Sequence, residues 1–184
     1  SGAIRLAVRG ARRAGVGLAS VVCAPEAALL YSQDPGVIVL ADGDAAFAAA
    51  LADARRNVVL IGPGHGEPER LRARVGAILD AGRACVLDAD VFAGFSEAPS
   101  ALFDAIRAPA ILTPHAGEFA RLFPDLDLAA DRLGAARAAA ARSRAVVVAK
   151  GSDTVIAAPD GRAAINADAP PTLATGGAGD VLAG

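Results

Sequence analysis

Lysine is nearly missing from this chain: among its 184 residues there are seventeen arginines and one lysine, Lys150. Such a bias usually reflects a GC-rich genome, and it directs attention to the one lysine retained. Cysteine is scarce too. Cys23 and Cys85 sit inside the apolar runs Leu18–Cys23 and Ala84–Leu87, and their spacing fits no zinc motif. They read as buried, reduced thiols in a cytoplasmic protein. No apolar run approaches the roughly 18–20 residues of a membrane span. The start, Ser1-Gly2-Ala3-Ile4-Arg5, lacks the basic-then-apolar pattern of a signal peptide. A net charge of −2 without a basic stripe excludes a nucleic-acid surface. What remains is apolar: 54% hydrophobic residues with positive mean hydropathy, which excludes disorder.

The apolar residues alternate between short β-branched runs and longer Ala/Arg/Leu stretches. The spacing predicts strands over Leu18–Cys23, Val37–Leu40, Val58–Ile61, Cys85–Leu87, Ala110–Leu112 and Val146–Ala149. As continuous apolar runs they resemble parallel strands covered on both faces. Helices are predicted over Ala3–Ala14, Ala45–Arg55, Pro68–Ala81, Ala101–Ile106, Gly117–Leu122 and Ala129–Arg142, with Asp44 as an N-cap. After Lys150, Thr154–Ala158 and Ala163–Asn166 flank Pro159-Asp160-Gly161 and predict an antiparallel hairpin at the sheet edge. This predicts one three-layer αβα domain with a mostly parallel sheet. The last residues, Val181-Leu182-Ala183-Gly184, read as the first turn of a helix. The expectation is therefore of a piece cut at its C-terminus, with its start open to the same reading.

In open parallel sheets ligands bind beyond the carboxyl ends of the strands. Five polar or glycine-rich clusters are expected there, and they include both histidines. Gly62-Pro63-Gly64-His65-Gly66 lets backbone approach a ligand and offers amides to anions. Asp88-Ala89-Asp90 supplies two carboxylates suited to magnesium or ribose hydroxyls, and Glu118, in a helix's first turn, is a further metal candidate or a charge at the helix's positive end. In Thr113-Pro114-His115-Ala116-Gly117-Glu118, Pro114 fixes the strand exit and His115 projects into the cleft. Lys150-Gly151-Ser152-Asp153-Thr154 suits a phosphate. Thr175-Gly176-Gly177-Ala178-Gly179-Asp180 leads into a helix and makes an anion hole, with Asp180 beside it as a general base. Each cluster also fits a structural role: a tight turn, a cap, a solvated strand end or a charge at a helix start.

Ile61-Gly62-Pro63-Gly64, Leu87-Asp88-Ala89-Asp90, Leu112-Thr113-Pro114-His115-Ala116-Gly117-Glu118, Lys150-Gly151 and Gly176-Gly177-Ala178-Gly179-Asp180-Val181-Leu182-Ala183-Gly184 occur in the order seen in ADP/ATP-dependent NAD(P)H-hydrate dehydratases. The chain resembles this family of the ribokinase-like superfamily over nearly its whole length. The resemblance implies repair of NADHX and NADPHX with ADP as co-substrate, magnesium as cofactor, and release of AMP and phosphate. It implies Asp180 as the catalytic base in contact with the hydrate, and Gly177, Ala178 and Gly179 as the anion hole. Lys150, Gly151, Ser152, Asp153 and Thr154 would hold the AMP part; Ala3, Gly62, Gly64, Gly66 and His115 would contact the hydrate. Of the metal candidates Asp88, Asp90 and Glu118, none is assigned. Relatives form homo-oligomers, often tetramers, and many carry an epimerase domain upstream. The family often has proline where Ala116 stands. Two other readings are a small-molecule kinase for a vitamin-precursor alcohol and a nucleotide-binding domain without turnover. The dehydratase reading expects the loops at one rim to converge, so that Asp180 faces His115.

Overall fold

A computed structural model describes residues 2–184. Ser1, the first residue of the sequence start considered above, lies outside the described residues. Two compact units are present: the chain up to Asn57 together with Thr175–Gly184, and Val58–Ala174.

The first unit opens with α1 (Gly2–Ala14), whose last turn carries Arg12 and Arg13 where cations complement the helix dipole. Ile4, Ala7 and Val8 recur at helical spacing on one face. Ile4 and Val8 pack on a small core of Val21, Cys23 and Tyr31. Val21 and Cys23 come from β1 (Ala19–Cys23), which pairs in parallel with β2 (Val37–Ala41). Tyr31 comes from α2 (Ala28–Ser32), a five-residue helix too short to show periodicity in the sequence. The next helix, α3 (Asp44–Ala52), corrects the expected cap. Gly43 holds the cap position, Asp44 is the first helical residue, and no side chain caps the helix. The Asp44 carboxylate therefore acts on the helix's positive end through charge alone. The final helix, α9 (Ala178–Ala183), packs on α1 closely enough that a Cβ at Gly10 would collide with the Val181 carbonyl.

The second unit is built on six strands in sequence order: β3 (Val58–Ile61), β4 (Ala84–Leu87), β5 (Ala110–Leu112), β6 (Val146–Ala149), β7 (Thr154–Ala157) and β8 (Ala163–Asn166). The pairs from β3 to β6 are parallel, and β7 and β8 add on antiparallel at one edge, as the hairpin pattern predicts. Between the parallel strands run α4 (Pro68–Asp80), α5 (Asp90–Gly94), α6 (Pro99–Ala105), α7 (Ala116–Leu122) and α8 (Arg132–Ser143). Right-handed crossovers that all advance in one direction put their helices on one sheet face. In keeping with that, α6 packs against both α4 and α8. The strands accordingly alternate. Cys85, Leu87, Leu112, Val147 and Ala149 are buried, whereas Val86, Val146 and Val148 are half-buried and Ile111 is exposed. This departs from the two-sided burial that the continuous apolar runs predict.

The chain has no tryptophan, one tyrosine and six phenylalanines. Three of the phenylalanines gather under α6–α8. Phe103 and Phe123 stack with centroids 5.1 Å apart and planes 6° apart, and Phe119 tilts against Phe123 at 4.9 Å. The Arg142 guanidinium lies 5.9 Å from the Phe123 ring centre. α8 starts three residues later than its apolar pattern predicts, because Asp131 caps it by accepting from the Gly134 amide at 2.8 Å. Its C-cap is Arg144, whose left-handed backbone (φ 56°) does the work usually given to glycine. Arg144 in turn donates to the Phe103 carbonyl at 2.6 Å.

Truncating the fully buried Phe123 to alanine removes the shared partner of this cluster. Phe123→Ala is expected to cost about 3–5 kcal/mol in urea unfolding. The thiols give a second check. Burial pushes Cys85 up to about 11, and burial, helped by the nearby Asp42 carboxylate, raises Cys23. A raised pKa means less thiolate at pH 8. Ellman's reagent is therefore expected to find neither thiol in the native protein and both after denaturation.

Candidate functional site

Four of the five clusters follow β3, β4, β5 and β6, which are parallel, so their carboxyl ends share one rim of the second unit's sheet. Gly62 adopts φ 125°, and a Cβ there would collide with the Asp88 carbonyl oxygen. Only glycine allows the turn after β3 to lie against the strand tip beside it. The turn is closed by the His65 amide donating to the Gly62 carbonyl at 3.0 Å. Gly64 and Gly66 both take φ 63°, and the Gly66 amide donates to Asp90 Oδ2 at 3.0 Å. Between Asp88 and Asp90, Ala89 is forced to φ 50° and ψ −111°. A non-glycine residue in such a conformation stores about 1–3 kcal/mol, and neighbouring structure must hold it.

Asp88 is the buried centre of the rim, with a side chain 3% exposed. Its Oδ1 accepts from Thr113 Oγ1 at 2.7 Å and from Lys150 Nζ at 3.1 Å. Lys150 also lies 4.0 Å from Glu118 Oε2. Its backbone amide donates to the Pro114 carbonyl at 2.9 Å, which extends the parallel ladder past the strand ends. The chain's one lysine is thus committed at its head to two carboxylates.

His115 stands at the start of α7. Its side chain turns back over the start of α7 as the N-cap, where Nδ1 accepts from the amides of Gly117 and Glu118 at 3.0 and 3.3 Å. Glu118 Oε2 returns a bond by accepting from the His115 amide at 2.8 Å. Two donors aimed at Nδ1 leave the neutral ring's hydrogen on Nε2, 3.4 Å from Glu118 Oε1. Asp88, Lys150, Glu118 and His115 therefore form one polar chain across three strand tips.

Each metal candidate has a structural partner: Lys150 and Thr113 for Asp88, Gly66 for Asp90, and the His115 amide for Glu118. Among the described residues no three His, Cys, Asp or Glu side chains are placed to hold a metal ion. In the loop after Lys150, Thr154 Oγ1 donates to the Gly151 carbonyl at 2.9 Å and accepts from its amide at 3.2 Å. Ser152 donates to Asp153 Oδ1 at 3.3 Å. Sequence reasoning missed Arg132, which bonds this loop from the start of α8. Nothing in the spacing separates it from Arg137 and Arg142 on the same helix.

The fifth cluster belongs to the first unit. It follows the 3₁₀ turn Pro171–Leu173 and not a strand. Gly177 caps α9 at φ 89°, Ala178 and Gly179 open the helix, and Asp180 stands in its first turn, as expected. Ala3 lies in the first turn of α1, half-buried.

The Asp88–Lys150 pair yields a stability test. Lys150→Met strands a buried carboxylate and is expected to cost about 2–4 kcal/mol in urea unfolding. Adding Asp88→Asn should recover more than half of the loss. Simple additivity of the two changes would show that the pair is not coupled.

A family model described as NAD(P)H-hydrate dehydratase matches residues 1–184. A bifunctional NAD(P)H-hydrate repair enzyme of Synechocystis sp. is 41% identical over 191 aligned residues, covering 100% of this chain and 36% of that protein. The chain thus spans about a third of that relative's length. A solved ADP/ATP-dependent NAD(P)H-hydrate dehydratase of Bacillus subtilis, co-crystallised with ATP and Mg2+, superposes with a TM-score of 0.82 at 31% identity, over 99% of this chain and 65% of that one. A ribokinase-like superfamily protein of Enterococcus faecalis gives 0.83 at 24% identity, over 99% and 64%. With its mostly parallel sheet, the chain has the ribokinase-like fold. No helix among the described residues is long and apolar enough to cross a membrane.

Proposed function

The chain belongs to the NAD(P)H-hydrate dehydratase family across residues 1–184, and from that premise we propose that the complete protein converts NADHX and NADPHX back to NADH and NADPH. ADP gives up its terminal phosphoryl group, and AMP and phosphate leave. The observation that carries this reading is the rim itself: four loops at the carboxyl ends of parallel strands, with buried charge and glycine-enforced turns.

In this proposal the hydrate's hydroxyl oxygen attacks the terminal phosphorus of ADP while Asp180 accepts the hydroxyl proton. The new O–P bond forms as the bond to AMP breaks. Phosphate is a far better leaving group than hydroxide. The ring nitrogen's lone pair expels it, and a proton lost from the neighbouring carbon restores the dihydropyridine. The amides of Gly177 and Gly179, at the positive end of α9, stabilise the charge on the transferring phosphoryl oxygens, while the Ala178 amide donates to the Thr175 carbonyl at 3.2 Å and shapes the loop. Lys150 to Thr154 hold the AMP part through the loop backbone and hydroxyls, since the Lys150 ammonium is engaged by Asp88. His115, Gly62, Gly64, Gly66 and Ala3 contact the hydrate. Because Nδ1 of His115 caps α7, its ring can meet the substrate only through Nε2 and the ring face.

The carboxylates on the rim fit magnesium as an ion shared with nucleotide phosphates, since Mg2+ is usually held by one or two carboxylates together with phosphates and water. It would spread the charge of the transferring phosphoryl group, and Asp88, Asp90 and Glu118 are the carboxylates that would hold it. A cytoplasmic location, a homo-oligomer and an upstream epimerase domain belong to the same proposal.

The complete protein, given NADHX, ADP and magnesium, is expected to restore the reduced-nicotinamide absorbance near 340 nm. No recovery with ADP or ATP rejects the reading. Asp180→Asn should lower turnover by about 10²–10⁴ with ADP affinity kept; a mild effect puts the base elsewhere.

A further inference from the structure

The turn between β6 and β7 is held from outside itself. Arg132, the first residue of α8, reaches over it with a side chain 23% exposed. Its Nε donates to the Asp153 carbonyl at 2.9 Å and its Nη2 to the Lys150 carbonyl at 3.1 Å. The same Nε lies 3.2 Å from Asp153 Oδ1. One guanidinium thus ties together the carbonyls at the two ends of the turn. The residue at 151 fits the same contact. A Cβ at Gly151 would collide with the Arg132 guanidinium, so the glycine leaves the space that the arginine fills. The base of the arm is fixed as well, because Asp131, immediately before it, caps α8.

We infer that Arg132 is a positioning residue for the nucleotide loop, an inference that rests on the reading above of residues 150–154 as the segment holding the AMP part. Arg132 holds the turn in one shape before the nucleotide arrives. Binding to a preordered loop avoids the ordering cost that a mobile loop imposes. It also draws two carbonyl oxygens toward a cation and so away from an anionic ligand. A planar fork is needed to span both carbonyls, and the single ammonium of a lysine cannot do so.

The test compares Arg132→Gln, Gly151→Ala, the double variant and Arg137→Gln in the complete protein, with ADP as the probe. Arg137 is the matched control: it lies on the same helix and donates from Nε to a turn carbonyl, Gly161, at 2.9 Å. Calorimetry reads ADP affinity, the NADHX assay separates KM from kcat, and thermal unfolding reads stability. Arg132→Gln is expected to weaken ADP binding and raise its KM by about tenfold, with kcat changed less than about twofold. Arg137→Gln should leave ADP affinity unchanged. Gly151→Ala displaces the guanidinium while keeping the arginine, and should weaken ADP to a similar degree. The double variant should then be no worse than the weaker single, because both changes remove one contact. Gly151→Ala keeps the inference open to refutation even if Arg132→Gln fails to fold.

Additive losses overturn the inference, as does a lower melting temperature with ADP affinity intact, or an equal loss in the Arg137 control. A protein that binds ADP but never restores NADH fails the dehydratase reading alone, and the affinity arms still decide the role of Arg132. A wild-type protein that binds neither ADP nor ATP removes both.

Discussion

A carboxylate taken out of water needs a counter-charge, and at Asp88 the chain's one lysine supplies it. The pair does more than neutralise charge. Lys150 directly follows β6 and Asp88 directly follows β4, so their bond crosses β5 and ties three strand tips together, with Thr113 of the middle tip bonded to the same oxygen. Glu118 and His115 extend that chain to the start of α7. Remove the ammonium and the buried carboxylate, next in sequence to the strained Ala89, loses its counter-charge. The rim's geometry is thus a consequence of electrostatics as much as of strand pairing.

Topology explains why those residues meet at all. Four parallel strands laid down in sequence order bring loops that are far apart in the chain to one edge. The antiparallel β7 then sends the chain straight back, so residues 150–153 form a tight turn at that edge and not a crossover. Being short, the turn has little side-chain packing of its own. Its shape is set by Thr154 within it and by Arg132 across it.

The strands of the second unit were legible because they are short β-branched runs separated by glycine or polar clusters. The hairpin was legible from Pro159-Asp160-Gly161. Helix starts were less so. Asp44 looks like a cap, yet Gly43 takes that place. Asp131 does cap α8, inside a stretch whose apolar spacing already reads as helix. The two five-residue helices α2 and α5 are shorter than the window needed to see a period. The clusters of the site could be read, but their pairings could not. No spacing rule says that Lys150 turns to Asp88, 62 residues away, or that Arg132 in an arginine-rich helix is the one that reaches a loop.

The cap at α7 makes folding and recognition separable at a single position. The helix asks only for an acceptor at residue 115, and serine, threonine, aspartate or asparagine would meet that demand at least as well. An imidazole is larger than the job requires. It leaves a second nitrogen and an aromatic face, 59% exposed, with no architectural duty beyond the approach to Glu118. That second nitrogen and ring face are what residue 115 carries beyond the single acceptor that the helix start needs.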